Sequence, residues 1–403
     1  MISLYLHSPF CVNKCGYCDF NSWEEVRVEP QRVWAQSIQR QSRFWSGQVL
    51  DSKTLKRPPI QSVFWGGGTP SLIENHLTQE VLTEIEKDWD LSQVQEFTIE
   101  VNPETLTLEK LELWSALGIN RLSMGVQTFD DLYLEKLERR ARRKDNLRAL
   151  ELVAKSWTGS RGWSLDLMFG LPEQTLAQME NDLQLALEFS PTHVSSYQLT
   201  LSTARSENWK QPAEEFLIEM MVRRKKNLEQ KGLFQYEISN FAKPGFESLH
   251  NKNYWLLNSF LGLGPGARGL LGPGLKLGNK DADFGFHQTS PDNFETWSKL
   301  AGTLGELETL LPRTRSEHIL EHLMMGLRLT EGIKLDGFSA EISLAGYPDL
   351  ERLKQKLNEC RLAPWAADKI NFDGLNSGHL RLTPEGQLII DTLVPKLAKI
   401  IES

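Results

Sequence analysis

The chain has 403 residues, 40% of them hydrophobic and 24% charged, with a formal charge of −8 at pH 7. That length accommodates two or three domains, and the acidic balance argues against broad contact with nucleic acid or anionic lipid, both of which select basic surfaces. No charged-then-apolar leader opens the sequence and no run of ~18 apolar residues occurs, so a cytoplasmic protein without an integral membrane segment is expected.

From the N-terminus to about residue 200, short runs rich in branched and aromatic residues alternate with stretches of helical spacing. The predicted strands are "ISLYLHS" (2–8), "SVFWGG" (62–67), "EFTIEVN" (96–102), "RLSMGVQ" (121–127), "LDLMFG" (165–170) and "HVSSYQLT" (193–200). Helical spacing covers "LTQEVLTEIEKDW" (77–89) and "DDLYLEKLERRARRKDNLRALELVAK" (130–155). Repeated βα units imply a parallel sheet with right-handed crossovers. A closed eight-unit barrel needs ~250 residues. About six units fit, which predicts a partial, open (β/α)6 barrel in an α/β protein.

After residue 200 the texture changes. A polar helix is expected near 213–232, followed by "YEISNFAKPG" (236–245) and the glycine-dense "LGLGPGARGLLGPG" (261–274). Such a run reads as tight turns, close backbone approach or a surface loop. "SEHILEHLMMGLRLTEGI" (316–333) is helical, and "HLRLTPEGQLIIDTLVPKLAKII" (379–401) reads as a strand, a proline turn and an amphipathic helix. This last part resembles a winged-helix module, here expected to serve packing or docking. The expected division is a barrel core at 1–235, a glycine-rich extension at 236–305 and a smaller helical, winged-helix-like C-terminal domain at 306–403.

Three of the four cysteines, Cys11, Cys15 and Cys18, fall within "CVNKCGYCDF", just after the first strand. They suit a disulfide with a spare thiol, three ligands of a zinc site, or three ligands of an iron–sulfur cluster. A reducing compartment disfavours the disulfide. Structural zinc wants four closed ligands, and His7 and Asp19 are the nearest further candidates. Soft thiolates suit an iron–sulfur cluster, which with three cysteines keeps one iron open to another ligand. Loops at the carboxyl ends of barrel strands build the active face. Later strands place "WGGGTPS", Glu100, Gln127 and Asp166 toward that face, a set suited to a ligand with amine, carboxylate and hydroxyl groups. His318 and His322, four apart on a predicted helix, have no third ligand in sequence reach, and Cys360 reads as a small apolar residue.

In order, CxxxCxxC, GGGTP, E-x-N-P, GVQ and D-L-M-x-G-L-P resemble the radical S-adenosylmethionine (SAM) superfamily, in its oxygen-independent coproporphyrinogen oxidase-like (HemN-like) branch. The likeness runs from the first strand to "LRLTPEG". It implies a [4Fe–4S] cluster on Cys11, Cys15 and Cys18, with SAM at the open iron and a 5′-deoxyadenosyl radical as the product of reduction. Gly67, Gly68 and Thr69 match positions that contact the methionyl part of SAM. Tyr5, Glu100, Gln127, Arg139 and Asp166 match other SAM contacts, with "LERRA" standing where the family often reads Leu-Gly-Arg-x-His.

Two functional classes share this resemblance. One is a coproporphyrinogen dehydrogenase that oxidatively decarboxylates propionate side chains. The other is a HemW-like heme chaperone, which binds heme and passes it to acceptors such as respiratory hemoproteins. Dehydrogenases of the group read CxxxCxxCxC and carry an arm before the first strand; here Phe20 holds the extra cysteine position and the chain opens on the strand. "HNKNYW" (250–255) matches the H-N-x-x-Y-W motif proposed for heme in the chaperones. By that match His250 offers an imidazole to iron, with Asn251, and Tyr254 and Trp255 offer flat apolar area. The chaperone is the expected function.

Overall fold

The computed structural model describes residues 2–49, 56–199, 212–273, 282–301, 309–343 and 350–402. Six parallel strands form its centre: β1 (Ile2–Ser8), β2 (Ile60–Gly67), β3 (Glu96–Val101), β4 (Arg121–Gln127), β5 (Trp163–Phe169) and β6 (His193–Gln198). Each pairs with the next in chain order. The helices α1 (Val28–Val49), α2 (Asn75–Asp88), α3 (Leu108–Ala116), α4 (Asp131–Lys136), α5 (Arg143–Ser156) and α6 (Leu176–Glu188) lie in the connections. This is the partial (β/α)6 barrel expected from the sequence; β1 and β6 do not pair, so it stays open. Thr200 and the "LSTARSENW" loop lie outside the described residues.

The predicted helix over 130–155 is two helices. Glu138 adopts φ +56°, a left-handed conformation that α-helix cannot continue through. Where the family often has glycine, the backbone here demands what glycine provides most easily. The break sends Arg139 inward, and its guanidinium donates to the Gly125 carbonyl at 2.6 Å.

The polar helix expected near 213–232 is α7 (Glu214–Glu229). Beyond β6 the sheet gains β7 (Phe234–Gln235) and β8 (Asn240–Ala242), both antiparallel. Beyond β1 it gains β9 (Phe260–Leu263), β10 (Arg268–Leu271), β11 (Phe286–Thr289) and β12 (Thr309–Pro312). The glycine-dense run therefore supplies two strands and their turn, and its last residue, Gly274, lies outside the described residues. Close approach requires glycine here: a Cβ on Gly262 would sit 2.3 Å from the Arg268 carbonyl oxygen.

Apolar residues on the outer side of the strands pack under the helices in one large core. Trp34 of α1 stacks on Trp65 of β2 with ring centroids 5.6 Å apart. Their indole N–H groups donate to the His7 carbonyl and to Ser8 Oγ, tying the helix and β2 to the end of β1. A second core gathers Leu323, Leu353, Leu375, Leu393 and Leu397 in the C-terminal region. There, Ile333–Lys334 pairs antiparallel with His379–Leu380 among the helices Arg315–Gly326, Leu350–Glu359 and Ile390–Glu402. The expected proline turn is itself helical, Pro384–Leu388, with Thr383 Oγ1 capping Gly386 N. No helix of the described residues is long and apolar enough to cross a membrane.

Trp65→Ala removes a fully buried indole and leaves a cavity in the core. It is expected to cost about 3–5 kcal/mol of stability, read as a lowered urea midpoint of the barrel.

Candidate functional site

Side chains alternate across a strand, so each second residue of the six strands faces the barrel interior. In filled barrels that interior is branched and apolar. Here it is mostly polar: Tyr5 and His7 on β1, Thr98 and Glu100 on β3, Arg121, Ser123 and Gln127 on β4, Ser164 and Asp166 on β5, and His193, Ser195 and Tyr197 on β6, with Phe64 of β2 and Met168 of β5 as apolar members. The space they leave is a cavity of about 650 Å³, open at the carboxyl ends of the strands.

All three motif cysteines line this cavity. β1 passes through Pro9 into Phe10–Cys11, which pairs with Trp23–Glu24, and the loop between them carries Cys15 and Cys18. Gly16 N donates to the Leu137 carbonyl and Cys18 N to the Cys15 carbonyl, fixing the loop over the mouth. Arg139 Nη1 lies 3.7 Å from Cys15 Sγ. Burial pushes the Cys11 and Cys18 thiols above their ordinary range. The fourth cysteine, Cys360, is buried in the C-terminal core, where its thiol donates to the Lys356 carbonyl.

Gly67 ends β2, Gly68 and Thr69 follow it, and all three line the cavity that the cysteines border. Gly67 has φ +110°, and a Cβ there would meet the His7 ring at 2.7 Å. A Cβ on Gly68 would lie 2.6 Å from the Phe10 carbonyl and 3.0 Å from Cys11 Sγ. Side chains at these positions would fill the space beside the thiols.

Tyr5, Glu100, Gln127, Arg139 and Asp166 also line the cavity. Tyr5 shares a hydrogen bond with His7 Nδ1 at 2.9 Å. Gln127 ends β4 at φ +70° and accepts from the Tyr197 hydroxyl at 2.6 Å; such a strained non-glycine residue is held only by its surroundings. Glu100 accepts from Gly67 N, yet burial and then the charge of Asp166 push its carboxyl up to about 8. Burial raises Asp166 to about 7, opposed by Arg121 and Ser123. Two carboxyls held near neutrality in one cavity suit a ligand that brings positive charge.

The four residues of the "HNKNYW" motif singled out for heme are placed differently from one another. They belong to α8 (Leu249–Trp255), whose N-terminus sits on Glu96 at the barrel floor. The Glu96 carboxylate accepts from Ser248 Oγ, Leu249 N and His250 N. Burial would raise this carboxyl, but Arg121 and those N–H groups hold it below its ordinary range. Asn251 and Tyr254 line the cavity. His250 lies behind them with 0% exposure, its Nδ1 bonded to Ser62 Oγ at 2.9 Å and its Nε2 to the Tyr254 hydroxyl at 2.7 Å. Burial lowers it to about 3, which keeps the ring neutral. Trp255 is turned away from the cavity, with the Arg328 guanidinium 4.5 Å from its ring.

Sequence reading missed Arg121, Ser123, His193, Ser195, Tyr197 and Asn102 as cavity residues. The strand residues among them share parity with Gln127, Asp166 or each other, so extending the alternation back from the strand ends would have found them. Phe20 stands at the mouth with 56% exposure, lining the same cavity. His318 and His322 lie with ring centroids 4.3 Å apart, and among the described residues no three His, Cys, Asp or Glu side chains gather closely enough for a single ion.

The family model of the Radical SAM superfamily matches residues 5–186, and that of the HemN C-terminal domain matches 314–389. A protein of Buchnera aphidicola subsp. Schizaphis graminum named heme chaperone HemW is 38% identical over 66% of this chain and 70% of its own. The chain belongs to the HemW family of radical SAM proteins. Its Bacillus subtilis relative, of the same name, is 32% identical over 84% of this chain and 86% of that one. In fold it resembles the radical SAM enzyme coproporphyrinogen III oxidase (HemN) of Escherichia coli, with a TM-score of 0.77 over 98% of this chain and 90% of that one, at 19% identity. The radical SAM family implies a [4Fe–4S] cluster and SAM. The donor set fits: three thiols border one cavity mouth, with glycines where a Cβ would intrude.

The ordinary values of Glu100 and Asp166 are 4.5 and 3.8, and the folded protein moves both up, to about 8 and about 7. Folding thus favours their protonated forms; that contribution is complete below about pH 4 and is lost as pH rises through 7–8. Glu100→Gln mimics the protonated form. In metal-free protein its melting temperature is expected to gain on wild type between pH 5 and 9, by roughly 5 °C, and equal slopes would refute the placement of these charges.

Proposed function

We propose that this protein binds heme and passes it to acceptor proteins, in the cytoplasm, while holding a [4Fe–4S] cluster on Cys11, Cys15 and Cys18 and SAM in the same cavity. The observation that carries the reading is the docking of the "HNKNYW" helix on the barrel floor, which turns Asn251 and Tyr254 into the cavity that the cysteines border. Phe20, Tyr17, Phe64 and Met168 add apolar lining suited to a porphyrin face. Relatives at 32–38% identity bearing the heme chaperone name support the same conclusion.

In this reading Gly67, Gly68, Thr69, Tyr5, Glu100, Gln127, Arg139 and Asp166 hold SAM: the raised carboxyls receive its amino group, and Arg139, fixed by Gly125 and Asn102, faces the cysteine loop. Bound there, the cluster would supply an electron to SAM. His250 is the iron ligand, and its neutral ring is the form that binds metal. To reach iron its Nε2 exchanges the Tyr254 hydroxyl for the metal, so Tyr254 sets how readily the site opens. The alternative, a coproporphyrinogen dehydrogenase, draws on the shared fold, whereas the aromatic Phe20 stands where that group has a further cysteine.

Anaerobic heme titration followed at the Soret band tests the reading. His250→Ala is expected to weaken binding at least ~10-fold, the loss of one buried ligand bond at about 1.4 kcal/mol per decade. Tyr254→Phe should bind at least as tightly as wild type. A Cys11/Cys15/Cys18→Ala protein should still bind heme. Saturable binding indifferent to His250 would move the ligand elsewhere, and decarboxylation of coproporphyrinogen by the reconstituted protein would favour the dehydrogenase.

A further inference from the structure

One almost fully buried charged group of the cavity is not among the SAM or heme positions above. Arg121 opens β4, on the same face as Gln127 at the strand's other end, and only 2% of it is exposed. It lines the cavity, yet its partners are poor. One nitrogen reaches Thr98 Oγ1 at 3.5 Å, and the buried Nε has no hydrogen-bond partner. Among the described residues it forms no ion pair within 4 Å. The charge of Arg121 helps hold the Glu96 carboxyl below its ordinary range, but the hydrogen bonds of that carboxylate go to the α8 N–H groups and Ser248, and Arg161 lies 3.6 Å from it. Asp166 is engaged by Ser123 and Ser195.

A guanidinium withdrawn from water without a hydrogen-bonded counter-ion is strongly disfavoured. A ligand anion placed against it offsets that penalty and satisfies the fork of N–H donors, which matches a carboxylate in two parallel bonds. Around Arg121 the cavity wall offers the hydroxyls of Ser123, Ser164 and Ser195 and the imidazole of His193. His193 is bonded to Ser164 Oγ at 2.7 Å and to the Tyr236 hydroxyl at 2.9 Å, and burial with the nearby Arg121 and Arg161 keeps it neutral. The floor is therefore polar and offers a guanidinium beneath a mouth that is aromatic and thiol-bearing.

We infer that Arg121 is the floor of a carboxylate subsite, and that a propionate of heme enters the barrel onto it. The inference rests on the heme-binding reading and adds to it the polarity of the ligand: carboxylate inward, against β4 and β5. It makes the protein selective for porphyrins with a free acid.

Heme and heme dimethyl ester, titrated by Soret absorbance into wild type, Arg121→Met and Arg121→Lys, decide it. Wild type should prefer the acid by at least ~10-fold, the equivalent of one well-formed charged hydrogen-bond pair. Arg121→Met should lose that preference while binding the ester as wild type does, and Arg121→Lys, which keeps charge without the fork, should retain only part of it. Melting curves identify a variant that fails to fold, in which case the wild-type ratio and the lysine variant decide. Equal affinity for acid and ester in wild type, or an unchanged ratio in both variants, overturns the carboxylate subsite and leaves heme binding standing. No saturable heme binding by wild type overturns the heme reading and this inference with it.

Discussion

The placement of charge inside an open barrel is the constraint on which the rest of this structure depends. Strand alternation commits every second residue of β1 to β6 to the interior, and here those residues include Glu96, Glu100, Arg121 and Asp166. Buried ions are tolerated only when paired or hydrogen-bonded. The structure meets that demand unevenly. Glu96 is satisfied by a helix N-terminus and becomes an anchor. Glu100 and Asp166 are left near neutrality, facing a cavity. One settled charge, Glu96, beside three that are not, Glu100, Asp166 and Arg121, is the physical description of a scaffold with a binding site.

The anchor explains how the C-terminal half of the chain contributes to a site bordered by N-terminal cysteines. Residues 248–250 give Glu96 three hydrogen bonds, and α8 then runs so that Asn251 and Tyr254 reach the cavity while His250 packs behind them against Phe64. The glycine-dense strands β9 and β10 carry the chain back to the edge of β1. Arg139 does the corresponding work on the other side, joining the carbonyl of Gly125, the amide of Asn102 and the sulfur of Cys15. Both links join elements far apart in sequence, so the cavity forms only when the whole barrel does.

Much of this is legible in the sequence. The six strands are readable because parallel strands are short, branched and aromatic and end in glycine or polar residues. The cysteine spacing points to metal chemistry. Less legible is the break at Glu138, because nothing in "EKLERRARRK" interrupts helical spacing; the left-handed turn is imposed by where Arg139 must go. The glycine-dense run gives no sign of being strand, since its close partner, residue against residue at 262 and 268, is a tertiary contact.

The sequence by itself determined the order of βα units, the ligand types at the mouth and the family, because these depend on local spacing and on residue chemistry. Only the tertiary structure decided which of those residues face the cavity. "HNKNYW" presents one histidine and two aromatics within six residues, but the helix turn and the Glu96 anchor bury the histidine, expose the tyrosine to the lumen and hand the tryptophan to Arg328. Arg121 was one basic residue at the start of a strand. Its meaning comes from a carboxylate neighbour whose hydrogen bonds are already taken, and that is a property of packing which no single stretch of chain carries.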